Sequence, residues 1–342
     1  MTDVFFLDDN RIVTASLDTS ARIRSLRVNE EDVETPLFDE HLSGITATDI
    51  SAAGRILTGC GRGDLYLWSA GADEPSLLKS HDVGIRHVDI SPTGDEAVSV
   101  DEAGGCRLWS LSYQSAKDIS EEVGIAAVSA AFNSSGNVLI VAGRGGEVAF
   151  HDLSGNTLIG SRTGHRGACT QIVPQPGSSR AASLGEDGQV VLWESTSGEV
   201  VQRIQLPEDA RGVRDAAFHD DGELLLTVDD AGYLRVWDTR HGRLRQEFRA
   251  HPVVANALIA HPDGRHVVTA GIDGTLRVWQ IQRHFETTVL LGDDGATWGE
   301  FSPDGKLYVT SHESGVARIY ETSTHQLSRE FVHSADDWVK QA

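Results

Sequence analysis

Aromatic residues recur along this chain of 342 residues at nearly even spacing, each at the end of a short apolar run. The positions are Trp68, Trp109, Phe150, Trp193, Trp237, Trp279 and Tyr320. Successive positions lie 41 to 44 residues apart. A fixed period of this length predicts a repeat architecture, in which each repeat is one supersecondary unit that buries its apolar face against its neighbours.

Each repeat also contains two clusters of turn-forming residues between short β-rich runs. The first cluster reads Ser-Pro-Thr-Gly at 91–94 and Ser-Pro-Asp-Gly at 302–305. The second ends in Asp-Gly, as at Asp187–Gly188 and Asp273–Gly274. Because these residues favour tight turns, each repeat reads as four short antiparallel strands. Such a unit is one blade of a β-propeller.

The pattern resembles the WD40-repeat family over essentially the whole chain. The two most regular repeats carry a His, a Ser or Thr, an Asp and a Trp at matching positions: His165, Ser183, Asp187 and Trp193, and His251, Thr269, Asp273 and Trp279. The resemblance implies that each set forms a buried hydrogen-bond series inside its blade. Other repeats depart from the pattern and are predicted to depend on sheet packing. At the Asp position they carry Arg62, Ala103, Arg144, Ala231 and Ser314.

An incomplete copy of the repeat precedes the first aromatic position. Residues 12–24 align with 267–279, with Arg24 at the Trp position and the beginning of the repeat missing. Residues 331–340 supply a His-bearing loop and one strand, so the two fragments complete one repeat. Pairing them in one sheet would close the ring and remove open edges.

We therefore predict an all-β fold, a closed β-propeller of eight four-stranded antiparallel blades. It would form a single domain over residues 1–342, whose terminal blade is shared by about 1–28 and 328–342. Seven blades with a frayed N-terminus is the alternative.

Composition argues against two classes of partner. The chain carries 51 acidic and 29 basic residues, a formal net charge of −22. Duplex nucleic acid and anionic membranes both attract clustered Lys and Arg, so we expect neither as a partner. No run approaches the ~18 apolar residues of a membrane span, and no signal peptide follows Met1. Three widely spaced cysteines without a ligand pattern predict a reducing compartment, the cytoplasm.

Candidate catalytic and metal-ligating residues repeat with the blades, which favours a structural role for them. Five histidines share one repeat position: His41, His81, His165, His251 and His333. The glycine-rich segment 59–63 lacks the Gly-Lys-Ser/Thr ending of a phosphate loop and occupies a turn. No metal-ligand spacing or nucleophile motif accompanies them. We predict no catalytic residue, no metal and no cofactor.

In proteins that look like this one, partners dock on the narrower face of the disc, around the central channel. The resemblance assigns that face to the residues three and five positions after the repeat His, and to the residue before the repeat Asp. The first set is Gly84 and Arg86, Ala168 and Thr170, Gly212 and Arg214, Val254 and Asn256, Gly295 and Thr297, and Asp336 and Trp338. The second set is Leu17, Gly61, Glu102, Gly143, Glu186, Asp230, Ile272 and Glu313.

Eight of these residues are predicted to bind a partner because they are charged or aromatic: Trp338, Asp336, Arg86, Arg214, Glu102, Glu186, Asp230 and Glu313. Trp338 would be an aromatic anchor, or alternatively an ordinary strand residue. The carboxylates would give a mixed but mainly acidic rim that suits a basic peptide or surface. A solvated rim on an acidic protein is the alternative.

These features predict a monomeric, non-catalytic scaffold or adaptor that binds a protein or peptide. Two alternatives stay open. The first is a sensor or regulatory module that works with a nucleotide-switch ATPase or kinase. The second is a propeller enzyme, either a hydrolase or a lyase.

Overall fold

The computed structural model describes residues 3–8, 11–16, 19–25, 35–36, 43–51, 54–68, 75–78, 81–210, 212–219, 222–261, 266–281, 288–291 and 295–332. Among these residues, 32 strands form eight antiparallel sheets of four strands each. One α-helical turn, α1 (Ser120–Val123), and one 3-10 turn (Glu208–Ala210) are the described helical segments. We number the sheets as blades 1 to 8 in chain order.

The first four blades span the N-terminal half of the chain. Blade 1 contains β1 (Asp3–Asp8), β2 (Arg11–Ala15), β3 (Ala21–Ser25) and β4 (Thr35–Pro36). Blade 2 contains β5 (Ile45–Ile50), β6 (Ile56–Cys60), β7 (Leu65–Trp68) and β8 (Ser76–Leu78). Blade 3 contains β9 (Ile85–Ile90), β10 (Glu96–Asp101), β11 (Cys106–Ser110) and β12 (Ser115–Asp118). Blade 4 contains β13 (Ala127–Phe132), β14 (Val138–Gly143), β15 (Glu147–Asp152) and β16 (Thr157–Thr163).

The other four blades follow the same order of strands. Blade 5 contains β17 (Cys169–Pro174), β18 (Arg180–Gly185), β19 (Gln189–Glu194) and β20 (Glu199–Gln205). Blade 6 contains β21 (Val213–Phe218), β22 (Leu224–Asp229), β23 (Tyr233–Asp238) and β24 (Arg243–Arg249). Blade 7 contains β25 (Ala255–Ala260), β26 (His266–Gly271), β27 (Thr275–Gln280) and β28 (Thr288–Leu291). Blade 8 contains β29 (Ala296–Phe301), β30 (Leu307–His312), β31 (Val316–Glu321) and β32 (Leu327–Val332).

The first strands of the eight blades form a closed inner ring. Each contacts the first strand of the preceding and the following blade, and β1 contacts both β5 and β29. The central strands of most blades are almost continuously apolar and buried, because each sheet is covered on both faces by its neighbours. One apolar cluster, for example, joins Ala182, Leu184 and Leu192 of blade 5 to Phe218 and Trp237 of blade 6. The prediction of an eight-bladed, all-β propeller is confirmed.

Ring closure differs from the predicted arrangement in two respects. The innermost strand of blade 1 is β1. The alignment of repeats begins at residue 12 and so does not include β1, and it assigns the innermost position to the C-terminal fragment instead. Phe331 and Val332 belong to β32, the outer strand of blade 8. Residues 333–342 lie outside the described part, so their pairing with blade 1 stays a prediction.

The register of blade 4 also differs from the prediction. His151, not Phe150, occupies the position of Trp193, because the bulge before His151 in the pairing of β15 with β16 matches the bulge before Trp193. Both side chains are buried, and the Phe150 ring lies 5.4 Å from that of Trp193. Gly145 therefore stands at the Asp position of this blade, and Arg144 stands one residue before it.

Candidate functional site

In blade 5, a hydrogen-bond series joins the loop before the first strand to the turn between the second and third strands. Nδ1 of His165 lies 3.1 Å from Oδ1 of Asp187, and Nε2 lies 2.7 Å from Oγ of Ser183. Trp193 donates its indole N–H to the same hydroxyl at 2.8 Å. Burial lowers the pKa of His165. The neutral imidazole can therefore donate from Nδ1 to the carboxylate and accept at Nε2 from the hydroxyl.

Blade 7 contains the same series. His251 lies 3.0 Å from Asp273 and 2.9 Å from Thr269, which also accepts the indole N–H of Trp279 at 3.0 Å. A β-carbon at Gly271 would collide with the His251 ring and lie 2.5 Å from Asp273 Oδ1. The glycine that precedes each turn thus makes room for the imidazole.

Blade 3 has a third series that the sequence reading missed, since Ala103 stands at its Asp position. The carboxylate comes instead from Asp101, two residues earlier, at 2.9 Å from Nδ1 of His81. Ser99 lies 2.6 Å from Nε2 of His81 and accepts the indole N–H of Trp109 at 2.8 Å. Asp101 occupies the place of the glycine in blades 5 and 7, so its side chain reaches the imidazole directly.

Blades 6 and 8 replace the loop histidine with an arginine from the third strand. In blade 6, Arg235 is fully buried, pairs with Asp229, and donates Nε–H to Glu247 at 2.6 Å. In blade 8, Arg318 donates Nε–H to Glu330 at 2.8 Å. These blades, which the sequence predicts to depend on sheet packing, therefore also contain charge-assisted bonds from an arginine.

The turns and loops joined in this way form one face of the ring, which we call the upper face. It corresponds to the face that the resemblance describes as the narrower one. In each blade from 2 to 8, a turn N–H donates to a loop carbonyl: Gly61 to Gly44, Glu102 to Gly84, Arg144 to Ala126, Glu186 to Ala168, Asp230 to Gly212, Ile272 to Val254 and Glu313 to Gly295. These bonds span 2.8 to 3.2 Å. The two sets of residues that the sequence assigned to one face do lie side by side, except for those outside the described residues.

A β-bulge in each first strand from β5 to β29 presents one further residue on this face. The pairing of β9 with β10 skips Arg86, and the pairing of β21 with β22 skips Arg214. The corresponding residues elsewhere are Thr46, Val128, Thr170, Asn256 and Thr297. A bulged residue leaves the ladder and its side chain is redirected, which is how this position reaches the rim.

The described part of the rim carries charges of both signs. Four carboxylates lie on it in the described blades, at Glu102, Glu186, Asp230 and Glu313, with three guanidinium groups at Arg86, Arg144 and Arg214. The sequence analysis missed Arg144, because the shifted register of blade 4 had placed Gly143 here. Asp336, Trp338 and Leu17 lie outside the described residues.

Several rim charges are already engaged by neighbouring groups. Arg214 pairs with Asp230, and Arg144 donates to the carbonyl oxygen of Glu102 at 3.0 Å. Glu186 accepts the N–H of Ala168 at 3.3 Å. Arg86 and Glu313 are exposed, and the side chain of neither makes a hydrogen bond or ion pair within the described ranges. The carboxylate of Glu102 is likewise exposed and makes no such contact there, so these three charges are left for a partner.

A second set of carboxylates lies on the inner strands and was not identified from the sequence. Each accepts a backbone N–H from the first strand of the next blade. Asp49 accepts from Ile90 at 2.6 Å, and Glu300 accepts from Phe6 at 2.8 Å across the ring closure. Burial raises the pKa of each of these two carboxyl groups to about 7.

Two other inner-strand carboxylates make the same kind of bond. Asp89 accepts from Phe132 and Asp215 from Leu258, both at 2.9 Å. Burial raises the pKa of Asp215 to about 6 and that of Asp89 well above its ordinary value. These carboxylates tie neighbouring blades together near the axis of the ring.

Other chemistry is not organised in the described part of the chain. No three His, Cys, Asp or Glu side chains there are placed to hold a metal ion. Cys60, Cys106 and Cys169 are free and buried. No described helix has the length and apolar character needed to cross a membrane.

Comparison with known proteins finds one matching family model and several similar proteins. The family model described as WD domain, G-beta repeat, matches residues 199–238 and 242–280. Autophagy-related protein 16 of Arabidopsis thaliana is 26% identical over 48% of this chain and 32% of its own length. Periodic tryptophan protein 2 homolog of Caenorhabditis elegans is 24% identical over 68% of this chain and 26% of its own length.

A longer alignment is found with WD repeat-containing protein 90 of Homo sapiens, 24% identical over 74% of this chain and 15% of its own length. The chain thus spans a third or less of the length of these relatives. Among solved structures, the computationally designed Ika8 protein superposes with a TM-score of 0.71 at 21% identity, over 86% of this chain and 88% of that one. This likeness concerns the fold alone. With the eight blades, the His–Ser/Thr–Trp series and these matches together, the chain belongs to the WD40-repeat family.

Proposed function

We propose that this propeller is a non-catalytic scaffold or adaptor that binds a protein or peptide on its upper face, around the axis of the ring. WD40 propellers are typically protein-interaction scaffolds and are generally non-catalytic, and the relatives named above have diverse roles. The fold alone does not fix the function, so the proposal depends on the residues of that face.

One observation carries the proposal. The framework repeats from blade to blade, whereas the residues that it presents on the upper face do not. The bulge position of Arg86 carries Arg, Thr, Asn or Val in the other blades, and the turn position of Glu313 carries Glu, Asp, Arg, Gly or Ile. The exposed charges of Arg86 and Glu313 are not used within the described ranges. Because strand pairing fixes the backbone of these residues in the ring, binding has only their side chains to order, which favours recognition.

The mixed rim indicates a partner surface that carries both signs of charge. Unpaired charges of both signs raise the rate of encounter with a complementary surface and reject mismatched ones. We further propose a monomeric propeller in a reducing compartment, the cytoplasm, which the buried free cysteines support. The sensor or regulatory alternative stays a prediction, since no described residue bears on it.

Affinity capture from the native host tests the proposal. Wild type would be compared with Arg86→Glu and with Trp338→Ala. Arg243→Glu is the matched control, because Arg243 is exposed at the start of the outer strand β24, at the end of the blade opposite the upper face. We expect Arg86→Glu to lose at least one partner that Arg243→Glu retains. Identical partner sets for all variants, with unchanged melting temperatures, would contradict binding on this face.

A further inference from the structure

The residue before the Asp position has one property in blade 7 that it lacks in the other described blades. At this rim position the other blades carry glycine or a charged residue, namely Gly61, Glu102, Arg144, Glu186, Asp230 and Glu313. Blade 7 carries Ile272, whose side chain is 47% exposed. A large aliphatic group on a polar rim is not needed by the turn, since glycine and charged residues serve it equally well elsewhere.

A second exposed aliphatic side chain lies in the loop that this turn contacts. Val253 is 43% exposed and precedes Val254, whose carbonyl accepts the N–H of Ile272 at 3.2 Å. Neither Val253 nor Ile272 belongs to the apolar clusters that join blade 7 to blades 6 and 8. Single exposed apolar residues are ordinary, but two on the loop and turn of one blade form a local apolar surface.

The free charge beside this surface is negative. Gly295 lies between Ile272 and Glu313: a β-carbon there would be 3.4 Å from Cα of Ile272 and 3.6 Å from Cδ of Glu313. No side chain therefore separates the aliphatic group from that carboxylate. On the other side, Asp230 of blade 6 is already neutralised by Arg214.

We propose that the upper face of blade 7 is the anchor point of the partner, and that it takes a basic apolar segment of a protein. An aliphatic or aromatic side chain of that segment would cover Ile272 and Val253, and an adjacent Lys or Arg would reach Glu313. This inference rests on the proposed function and narrows it to one sector and one partner chemistry. The complementary charge selects the occupant, because an acidic segment here would face Glu313 without a compensating cation.

Selection of peptides provides the test. A phage-displayed library of random peptides would be selected on the full-length wild-type chain, and the enriched peptides would then be synthesised for affinity measurements. We expect enrichment of sequences in which an aliphatic or aromatic residue adjoins Lys or Arg. Ile272→Asp should weaken their binding at least about tenfold, as expected for loss of a buried anchor. Glu313→Lys should weaken it by about three- to tenfold at low salt, and less at high salt.

Matched controls separate this sector from the rest of the molecule. Leu327 is also 47% exposed but lies on the outer strand β32, and Glu199 is exposed on the outer strand β20. Leu327→Asp and Glu199→Lys should bind the peptides as wild type does, and Ile272→Leu should stay within about twofold of it. Melting curves would show that every variant is folded.

The outcomes distinguish this inference from the proposed function. Enrichment of acidic peptides, or binding that survives Ile272→Asp and Glu313→Lys but is lost in Arg86→Glu, would overturn the blade 7 anchor and leave upper-face binding intact. Peptide binding that is lost in Leu327→Asp and in no upper-face variant would overturn both.

Discussion

Blades 5 and 6 are neighbours with the same four strands, yet they secure their interiors in different ways. Both keep the bond between an indole and a hydroxyl: Trp193 donates to Ser183 at 2.8 Å and Trp237 to Thr227 at 2.9 Å. Blade 5 extends this bond through His165 to Asp187, which joins the loop to the turn. Blade 6 instead uses Arg235 of β23, which pairs with Asp229 of β22 and with Glu247 of the outer strand β24.

In the regular blades, the histidine series performs two functions, and the comparison of blades 5 and 6 separates them. The histidine series stabilises the sheet and also fixes the loops of the upper face, because Arg166 donates its backbone N–H to Asp187 at 2.9 Å. In blade 6, Arg235 of β23 pairs with Asp229 of β22 and Glu247 of β24, and these pairs stabilise the sheet. Here the loop and turn are joined by the backbone bond from Asp230 to Gly212 and by Arg214. A blade can therefore lose the motif and keep its place in the ring.

The largest expected effect comes from breaking the ion pair of blade 6. Asp229→Ala would leave the fully buried guanidinium of Arg235 without its nearest carboxylate. Loss of one partner from a buried pair costs about 3–5 kcal/mol, so we expect a decrease of that size in the free energy of unfolding. Urea unfolding followed by tryptophan fluorescence measures it.

A double variant checks the origin of that loss. Asp229→Leu combined with Arg235→Met removes both buried charges and should recover most of the stability, because the remaining carboxylate, Glu247, is 37% exposed and can be hydrated. If the double variant is as unstable as Asp229→Ala, packing rather than charge explains the effect, and the contrast between the blades is weaker than we infer.

Removal of the shared hydroxyl compares the two blades directly. Ser183→Ala leaves both Nε2 of His165 and the Trp193 indole N–H without a partner, whereas Thr227→Val leaves only the Trp237 indole N–H without one. Each buried polar group left unpaired costs about 1–3 kcal/mol. We expect Ser183→Ala to lose about twice as much unfolding free energy as Thr227→Val. Equal losses would show that the imidazole finds another partner.

The sequence predicted the part of the fold that depends on spacing. The aromatic period and the two turn clusters repeat at fixed distances, and these features led to eight four-stranded blades. The period failed at blade 4, since Phe150 and His151 are adjacent and both buried, and only the strand pairing shows which of them takes the Trp position. The period also gave no indication of β1, because this strand contains none of the repeated residues.

The stabilising pairs of the irregular blades depend on geometry that spacing does not reveal. Asp101 replaces a turn carboxylate from two residues away because both positions point at His81. Arg235 lies on the buried face of β23, where a sequence pattern favours an apolar residue. The inner carboxylates, such as Asp49, bond to a strand some 41 residues away, which follows only from the packing of adjacent blades.

Another effect concerns pH and the inner strands that both blades share with the ring. The pKa of Asp49 is raised to about 7 from an unfolded value near 3.8. The folded state therefore binds more protons than the unfolded state between these values, and this group lowers stability as pH rises through that range. Asp49→Asn keeps an oxygen that can accept the Ile90 N–H but does not titrate.

We expect Asp49→Asn to be more stable than wild type by about 4 kcal/mol near pH 8 and to approach wild type below about pH 4, by urea unfolding at each pH. Asp95→Asn is the control, because Asp95 is exposed at a turn. A difference between Asp49→Asn and wild type that does not change with pH would mean that the carboxyl group is ionised throughout.

The smallest effect distinguishes the loop of blade 5 from that of blade 6. Burial lowers the pKa of His165 below its ordinary value of 6.5, so the folded state binds fewer protons than the unfolded state below that value. The stabilisation by this histidine is complete above pH 6.5 and is lost as pH falls toward the folded pKa. Blade 6 has an arginine, Arg235, in place of the loop histidine. Acidification to about pH 5 should therefore raise the opening equilibrium at the Arg166 amide, after correction for intrinsic exchange rates, and leave that of the Asp230 amide unchanged. Hydrogen exchange measured by NMR resolves the two amides, and equal changes at both would show that loop and turn are held alike in the two blades.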